Sequence, residues 1–478
     1  MIIALCCRKL LTFLYVLLIA RYASLYTTGL FFFLMAVVGV LGLVMDLGLS
    51  PVFIRESSRN LEKLPEYLGN TIGIKVIMCP VGILAAFLIV WLIDYPQVTK
   101  QLLYVIILIV VLDSFSMTFF GCLRANQRLK YEARGMITGH AIMFALGSFF
   151  LWRGYSILFL VLAVLANTAF NFLYSIWSIR SRLDIVPKIL YEWSIIRAFV
   201  KEAFPFLVGA LLGAVLFVDT LILSYFSDMG NVALFGIPAS VVRSLQLIPV
   251  ALVTAVYPEM SYLKDRSQER LDYTFQRSVY SLCVVGIPIA AGLSVLASDF
   301  LILVYGVKFS KSALPLQILA ISLIPVFLNH LIGTLLNACN RQTTNTILRG
   351  ISATVHISLC FILIPLYDVI GAAIVGLVSN TLLLGLGTYW ALKILKKEIT
   401  VYLPDMARIA ISALFMGSCV FYLKSVLHFL ITIPIGMILY GACLVTIERL
   451  TIESGPRSKA LTLFADFCNS VFVKKQFL

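Results

Sequence analysis

The chain is 478 residues long, 61% hydrophobic and only 13% charged, with a mean hydropathy of +1.00. A soluble domain carries about 25% charged residues, so this composition excludes a protein that faces water over most of its surface. The net charge of +14 would suggest nucleic acid in a soluble chain, but cytoplasmic loops of membrane proteins collect Lys and Arg, and no nucleic-acid partner is expected.

Apolar windows of about 20 residues, the length that crosses a hydrocarbon core, predict an all-α polytopic membrane protein. Its fourteen spans fall at 2–20, 28–50, 68–93, 101–123, 135–152, 155–178, 203–226, 234–257, 278–298, 312–338, 345–366, 370–392, 405–423 and 427–447. The first carries Arg8 and Lys9 at mid-span. No small-residue cleavage site of the kind that ends a signal peptide follows it, so either this helix is short or the chain starts upstream of Met1. Segment 189–202 alternates charged and apolar faces and reads as an interfacial helix with Trp193 at headgroup level. Pro205 then falls in the tolerated first turn of the seventh span.

Charge counting orients this map. Of the 37 Lys and Arg, 27 fall on the even-numbered connections and the tail, six on the odd-numbered connections and four inside spans. That asymmetry places both termini in the cytoplasm of a cell membrane. Every connection is too short for a soluble catalytic domain, and the chain carries no Walker A loop, HExxH or nucleophile elbow. An enzyme is therefore not expected, nor is a bound cofactor or metal.

An internal echo divides the spans. Leu123-Arg-Ala-Asn-Gln-Arg128 and Leu336-Asn-Ala-Cys-Asn-Arg341 share L-x-A-x-x-R at an offset of 213, each followed by an Arg-Gly, at 134–135 and 349–350. A six-helix shift relates them, as in parallel repeats. The predicted organisation is an N-terminal lobe (1–180), an interfacial linker helix (181–202), a C-terminal lobe (203–397), two extra helices (398–447) and a cytoplasmic tail (448–478).

A charge at mid-bilayer costs at least about 2.5–3.5 kcal/mol, so it needs a partner, a wet cavity or a substrate. Arg8, Lys9, Lys75, Asp113, Asp219 and Arg243 lie inside spans. The depths of Asp219 and Arg243 agree within about 3 Å at the helical rise, so the two can pair, either as a helix–helix tie or as a tuned cavity cation. Lys75, about 8 Å from its span centre, either snorkels or faces the cavity. Asp113 is too deep to snorkel, and either pairs with a cation of the first lobe or titrates. Four cations against two carboxylates imply a positive cavity suited to an anion, a diphosphate above all, because Arg binds phosphate bidentately. His140, His330 and His356 read as packing residues, and Asn167, Asn171, Asn329, Asn337 and Asn380 as interhelical hydrogen-bonding residues.

The stretch Met45-Asp-Leu-Gly-Leu-Ser-Pro-Val-Phe-Ile-Arg-Glu-Ser-Ser-Arg-Asn60 resembles the second-helix exit of polysaccharide flippases, the Wzx-type members of the MOP superfamily related to MATE exporters. Val218-Asp-Thr-Leu-Ile-Leu223, Ser244-Leu-Gln-Leu-Ile-Pro249 and Tyr257-Pro-Glu259 resemble that family's helices 7 and 8. Leu336–Gln342 resembles its helix 10 exit, and Ile364-Pro365 with Ile370-Gly-Ala-Ala-Ile374 its helix 11–12 corner. The resemblance covers nearly the whole chain. It implies two six-helix lobes in a V-shaped arrangement plus two C-terminal helices. It implies flipping of a polyprenyl-(di)phosphate-linked oligosaccharide to the outer leaflet by alternating access, among membrane lipids and beside glycosyltransferases or a polymerase of the same pathway. Lys75, Arg243, Arg8 and Arg349 become the candidate headgroup residues, and Asp113 and Asp219 the candidates for H+ or Na+ coupling or charge pairing. The chain departs from the family in its short N-terminal segment, which puts the role of Arg8 in doubt, and in Cys339-Asn340 where the family often has Gly. The competing reading is a MATE-like ion-coupled exporter of drugs or organic cations.

Overall fold

A computed structural model describes residues 2–92, 97–425 and 428–451. Most of the predicted tail (452–478) lies outside them. Among the described residues the chain is helical and carries no strand. In a bilayer this follows from the backbone: each unpaired N–H or C=O costs several kcal/mol in hydrocarbon, and a helix satisfies all of them internally.

The elements in order are α1 (Ile2–Tyr22), α2 (Leu25–Asp46), α3 (Leu49–Arg59), α4 (Leu64–Leu92), α5 (Gln97–Ala125), α6 (Leu129–Trp152), α7 (Ile157–Leu183), α8 (Trp193–Gly213), α9 (Val215–Phe226), α10 (Met229–Leu245), α11 (Leu247–Leu263), α12 (Gln268–Val295), α13 (Ala297–Tyr305), α14 (Ala313–Ala338), α15 (Gln342–Leu395), α16 (Leu403–Leu423) and α17 (Phe429–Thr451). Among the described residues, eleven stretches are long and apolar enough to cross a membrane, and α8 with α9 makes a twelfth, bent by 51°. The 54-residue α15 folds at Asp368 (φ 48°, ψ −125°) into two arms, and α1 occupies the place of the first span. The fourteen predicted spans are thereby accounted for.

The breaks explain motifs that looked arbitrary in sequence. Ser244-Leu-Gln-Leu-Ile-Pro249 is the joint between α10 and α11, where Gln246 stands between the two helices and Pro249 enters the first turn of the second. Ile364-Pro365 and Ile370-Gly-Ala-Ala-Ile374 flank the bend of α15. There Gly371 has no room for a Cβ, which would meet the backbone of Leu363 and Ile364.

The chain divides into two units, Met1–Gly236 and Ile237–Leu478. In the first, α2 is central, with 61% of its apolar window buried, and packs on α4, α5, α7 and α9. In the second, α14 is central, with 72% buried, and packs on α11, α12, α13 and α15. Helices α16 and α17 pack on each other and on α12.

Three local expectations are corrected. Segment 189–202 is not a separate interfacial helix: from Trp193 it forms the first turns of α8, which runs unbroken to Gly213. Pro205 accordingly lies in the interior of α8 rather than in its first turn. Residues 184–192 are irregular and tie to α4, where Leu190 N–H donates to the Gly69 carbonyl at 3.1 Å and Glu192 N–H to Asn70 Oδ1 at 2.7 Å. Finally, part of the predicted loop 51–67 belongs to α3, whose Leu49, Val52 and Phe53 are buried.

The sequence echo has a structural counterpart. At the α5–α6 turn Gln127 is left-handed (φ 56°), and at the α14–α15 turn Asn340 is left-handed (φ 57°). Arg128 N–H donates to the Leu123 carbonyl and Arg341 N–H to the Leu336 carbonyl, both at 2.8 Å, the pattern of a Schellman close. Across the first turn Arg124 grips Glu132 through Nε at 2.9 and 3.0 Å. At the same offset of 213, Asn345 Nδ2 donates to Asn337 Oδ1 at 3.1 Å. The two repeats thus share a side-chain clasp, charged in one and neutral in the other.

Candidate functional site

The densest polar constellation begins at the Met45–Ser50 motif. Helix α2 ends at Asp46; Leu47 (φ 51°) and Gly48 (φ 71°) then turn left-handed, and α3 starts at Leu49. A side chain at Gly48 would be strained by its φ and would also meet Leu207 N at 2.6 Å and Ala203 O at 2.7 Å on α8. Asp46 covers the start of α3: its Oδ2 accepts from Ser50 N–H at 3.4 Å, and its Oδ1 accepts from the Ser50 hydroxyl.

Lys75 of α4 reaches the same carboxylate. Its Nζ lies 3.1 Å from Asp46 Oδ1, 2.8 Å from the Ser114 carbonyl and 3.0 Å from Ser114 Oγ. An ammonium has three protons to give, and all three are taken. The side chain is 1% exposed, so it neither snorkels nor opens to a cavity in this structure. Its partner is Asp46, and its hydrogen bonds do not go to Asp113. Sequence counting passed over Asp46 because it sits at a span's end; the available signal was a carboxylate one turn before Ser50 in an otherwise apolar run.

Asp113, beside Ser114 on α5, is exposed, and its carboxylate feels the charges of Lys75, Arg8 and Asp46. Asp46 in turn lies within electrostatic reach of Arg124, which is clasped to Glu132. The first unit therefore holds an alternating series: Arg8, Asp113, Lys75, Asp46, Arg124, Glu132. This corrects the inferred surplus of cations for that unit, because Asp46 and Glu132, left out of the sequence count, balance it.

The remaining candidates lie each within its own unit. Asp219 is half-buried on α9 in the first unit, and Arg243 is half-buried on α10 in the second. Arg243 sits just before the α10–α11 joint, and its Nε donates back to the Ala239 carbonyl at 3.2 Å. Arg349 is exposed on the second turn of α15. Its Nε donates to Asn345 Oδ1 at 3.3 Å, and its guanidinium rests over Gly333 of α14, within electrostatic reach of His330. Arg349 is thus held by a neutral amide, and among the described residues it forms no ion pair with a carboxylate. The sequence makes it a headgroup candidate at the edge of loop 339–349.

The buried amides and imidazoles act within the helix bundle. Asn329 Nδ2 donates to the Asn380 carbonyl at 2.9 Å, from α14 to α15. His356 Nδ1 meets Ser379 Oγ at 2.8 Å across the two arms of α15, and His140 Nδ1 the Met136 carbonyl at 2.9 Å.

The family described as polysaccharide biosynthesis protein matches residues 1–264. A curated relative, the probable flippase AglR of Haloferax volcanii, is 28% identical over 258 residues, 52% of each chain. The chain therefore spans about half the length of that relative. Among solved structures, the lipid II flippase MurJ in an inward closed conformation has a TM-score of 0.76 at 18% identity, covering 94% of this chain and 99% of its own. An inward-facing MATE multidrug resistance transporter of the MOP superfamily has a TM-score of 0.64 at 14% identity, covering 82% and 96%. These likenesses establish a shared fold.

Proposed function

This chain belongs to the family of polysaccharide biosynthesis proteins, and on that premise we propose that it flips a lipid-linked glycan across the membrane. The cargo is an oligosaccharide on a polyprenyl phosphate or diphosphate, carried from the cytoplasmic to the outer leaflet by alternating access. Both termini face the cytoplasm, and glycosyltransferases or a polymerase of the same pathway supply and consume the cargo. The name of the partial relative, a probable flippase, and the MurJ-like fold support this reading.

The observation that carries it is Arg349. A guanidinium on a membrane helix, bound to an amide and, among the described residues, not to a carboxylate, keeps donors for an anion that arrives from outside the protein. Arg243, at a helix joint, is the second headgroup residue. In the first unit the Lys75–Asp46 pair must exchange partners before Lys75 can meet a headgroup, and Arg8 does so only in concert with Asp113. Asp113 and Asp219 are the carboxylates available for H+ or Na+ coupling.

The test is flipping of a fluorescent prenyl-diphosphate oligosaccharide in proteoliposomes, read by its accessibility to an external glycosidase. Wild-type protein is expected to expose the lipid, and an Arg243→Gln/Arg349→Gln double variant to lose most of that rate. Full flipping by the double variant would sink the headgroup roles. Uptake of organic cations with no flipping would replace this reading by a MATE-like exporter.

A further inference from the structure

We propose that the corner where α5, α6 and α7 meet binds the phosphate of an anionic phospholipid of the surrounding bilayer, at a site separate from the transported cargo. Three cations converge on one ring there. Lys130 Nζ lies 5.1 Å, Arg182 Cζ 5.2 Å and Arg134 Cζ 5.9 Å from the centroid of Tyr131. Arg128 joins them by donating to the Arg182 carbonyl. The ring offers each cation a weak attraction, but it does not offset their mutual repulsion.

The arrangement runs against helix electrostatics. Arg128 is the N-cap of α6, without a side-chain cap bond, and Lys130 lies in the first turn. Cations there oppose the positive end of the helix dipole. The nearby acid, Glu132, is 1% exposed and committed to Arg124; Asp184, past the end of α7, is exposed and closes that helix in a left-handed turn. Arg128, Lys130, Arg134, Arg180 and Arg182 are all exposed. An anion seated among them would meet helix N–H groups and guanidinium donors together.

Position identifies the source of that anion. Trp177 is 52% exposed near the end of spanning helix α7, and Arg182 lies 5.8 Å from its ring. Half-exposed Trp marks the headgroup level of a membrane, and Lys/Arg clusters at that level attract anionic lipid.

The second repeat provides an independent observation. At the offset of 213, Trp177, Arg128 and Arg180 correspond to Trp390, Arg341 and Lys393. There Lys393 Nζ lies 5.0 Å and Arg341 Cζ 6.0 Å from the Trp390 ring. The clasp beside the corner has changed from Arg–Glu to Asn–Asn between the repeats, and a Trp flanked by cations is kept, although the cations on the ring differ, Arg182 at Trp177 against Lys393 and Arg341 at Trp390.

Full-length protein in phosphatidylcholine vesicles tests this with trace brominated lipid, reading the Trp177 signal as the difference between wild type and Trp177→Phe. Brominated phosphatidylglycerol is expected to quench at roughly fivefold lower mole fraction than brominated phosphatidylcholine, the gain one near-surface cation confers. Lys130→Gln/Arg134→Gln/Arg182→Gln is expected to abolish the preference, and the charge-keeping Arg134→Lys/Arg182→Lys variant to retain it, which separates charge from misfolding. Equal quenching by the two lipids in wild type overturns the proposal. So does displacement of the brominated lipid by millimolar inorganic phosphate, which would mark a site for free phosphate.

Discussion

Lys75 and Asp46, 29 positions apart in sequence, meet at 3.1 Å beside the turn that joins α2 to α3. The same carboxylate covers the first turn of α3 through Ser50. One pair therefore ties three helices and a chain reversal together, with the Ser114 oxygens of α5 completing the shell.

Removing Asp46 leaves the Lys75 ammonium buried without its counter-charge, and removing Lys75 leaves the partly buried Asp46 carboxylate with its Ser50 bonds alone. Asp46→Asn or Lys75→Met is expected to cost about 3–5 kcal/mol, whereas the double variant recovers much of the loss because no lone ion remains. Thermal unfolding in detergent, compared across the four proteins, checks this. A double variant no more stable than the worse single one would mean the two residues act independently.

Gly48 is fixed by two constraints, a positive φ of 71° and a Cβ position 2.6 Å from Leu207 N. Gly48→Ala is expected to lower the yield of monodisperse protein sharply in size-exclusion chromatography. Gly209→Ala, in open surroundings on α8, is the contrasting control and should gain a few tenths of a kcal/mol or more from helix propensity.

The two clasps can be exchanged. Asn337→Arg alone places an uncompensated charge beside the α14–α15 turn, Asn345→Glu alone meets Arg349, and the double variant rebuilds the pair found at Arg124 and Glu132. A coupling energy of about 1 kcal/mol or more is expected from the double-mutant cycle, read from unfolding midpoints. Strict additivity would show that the repeats have diverged too far for the pair to form.

Asp113 lies within reach of the charges of Arg8 and Lys75, so Asp113→Asn is expected to destabilise the protein, as read by thermal unfolding in detergent. If its carboxylate couples an ion gradient to flipping, the variant's flipping rate in proteoliposomes will no longer respond to an imposed H+ or Na+ gradient. An undiminished response would remove Asp113 from the coupling step.

The proposed orientation, with both termini in the cytoplasm, is open to labelling. Ser310→Cys, exposed between α13 and α14, is expected to react with a membrane-impermeant maleimide in intact cells. Ser181→Cys, exposed at the end of α7, is expected to react only after lysis. The reverse pattern would invert the topology.

Hydropathy alone determined the spans, because a bilayer demands an apolar window of fixed length and an internally bonded backbone from every crossing. The L-x-A-x-x-R echo likewise fixed where the repeats correspond, because a left-handed helix close needs the same few residues wherever it occurs. Tertiary structure decided which charges meet. Lys75 was legible as a buried cation, but Asp46 was not legible as its partner, because pairing depends on how α2 and α4 pack and that carries no local period. For the same reason the surplus of cations read from the sequence became, in the first unit, an alternating and balanced series. Arg349 was legible as a headgroup candidate, but the seat of its guanidinium over Gly333 of α14 was not.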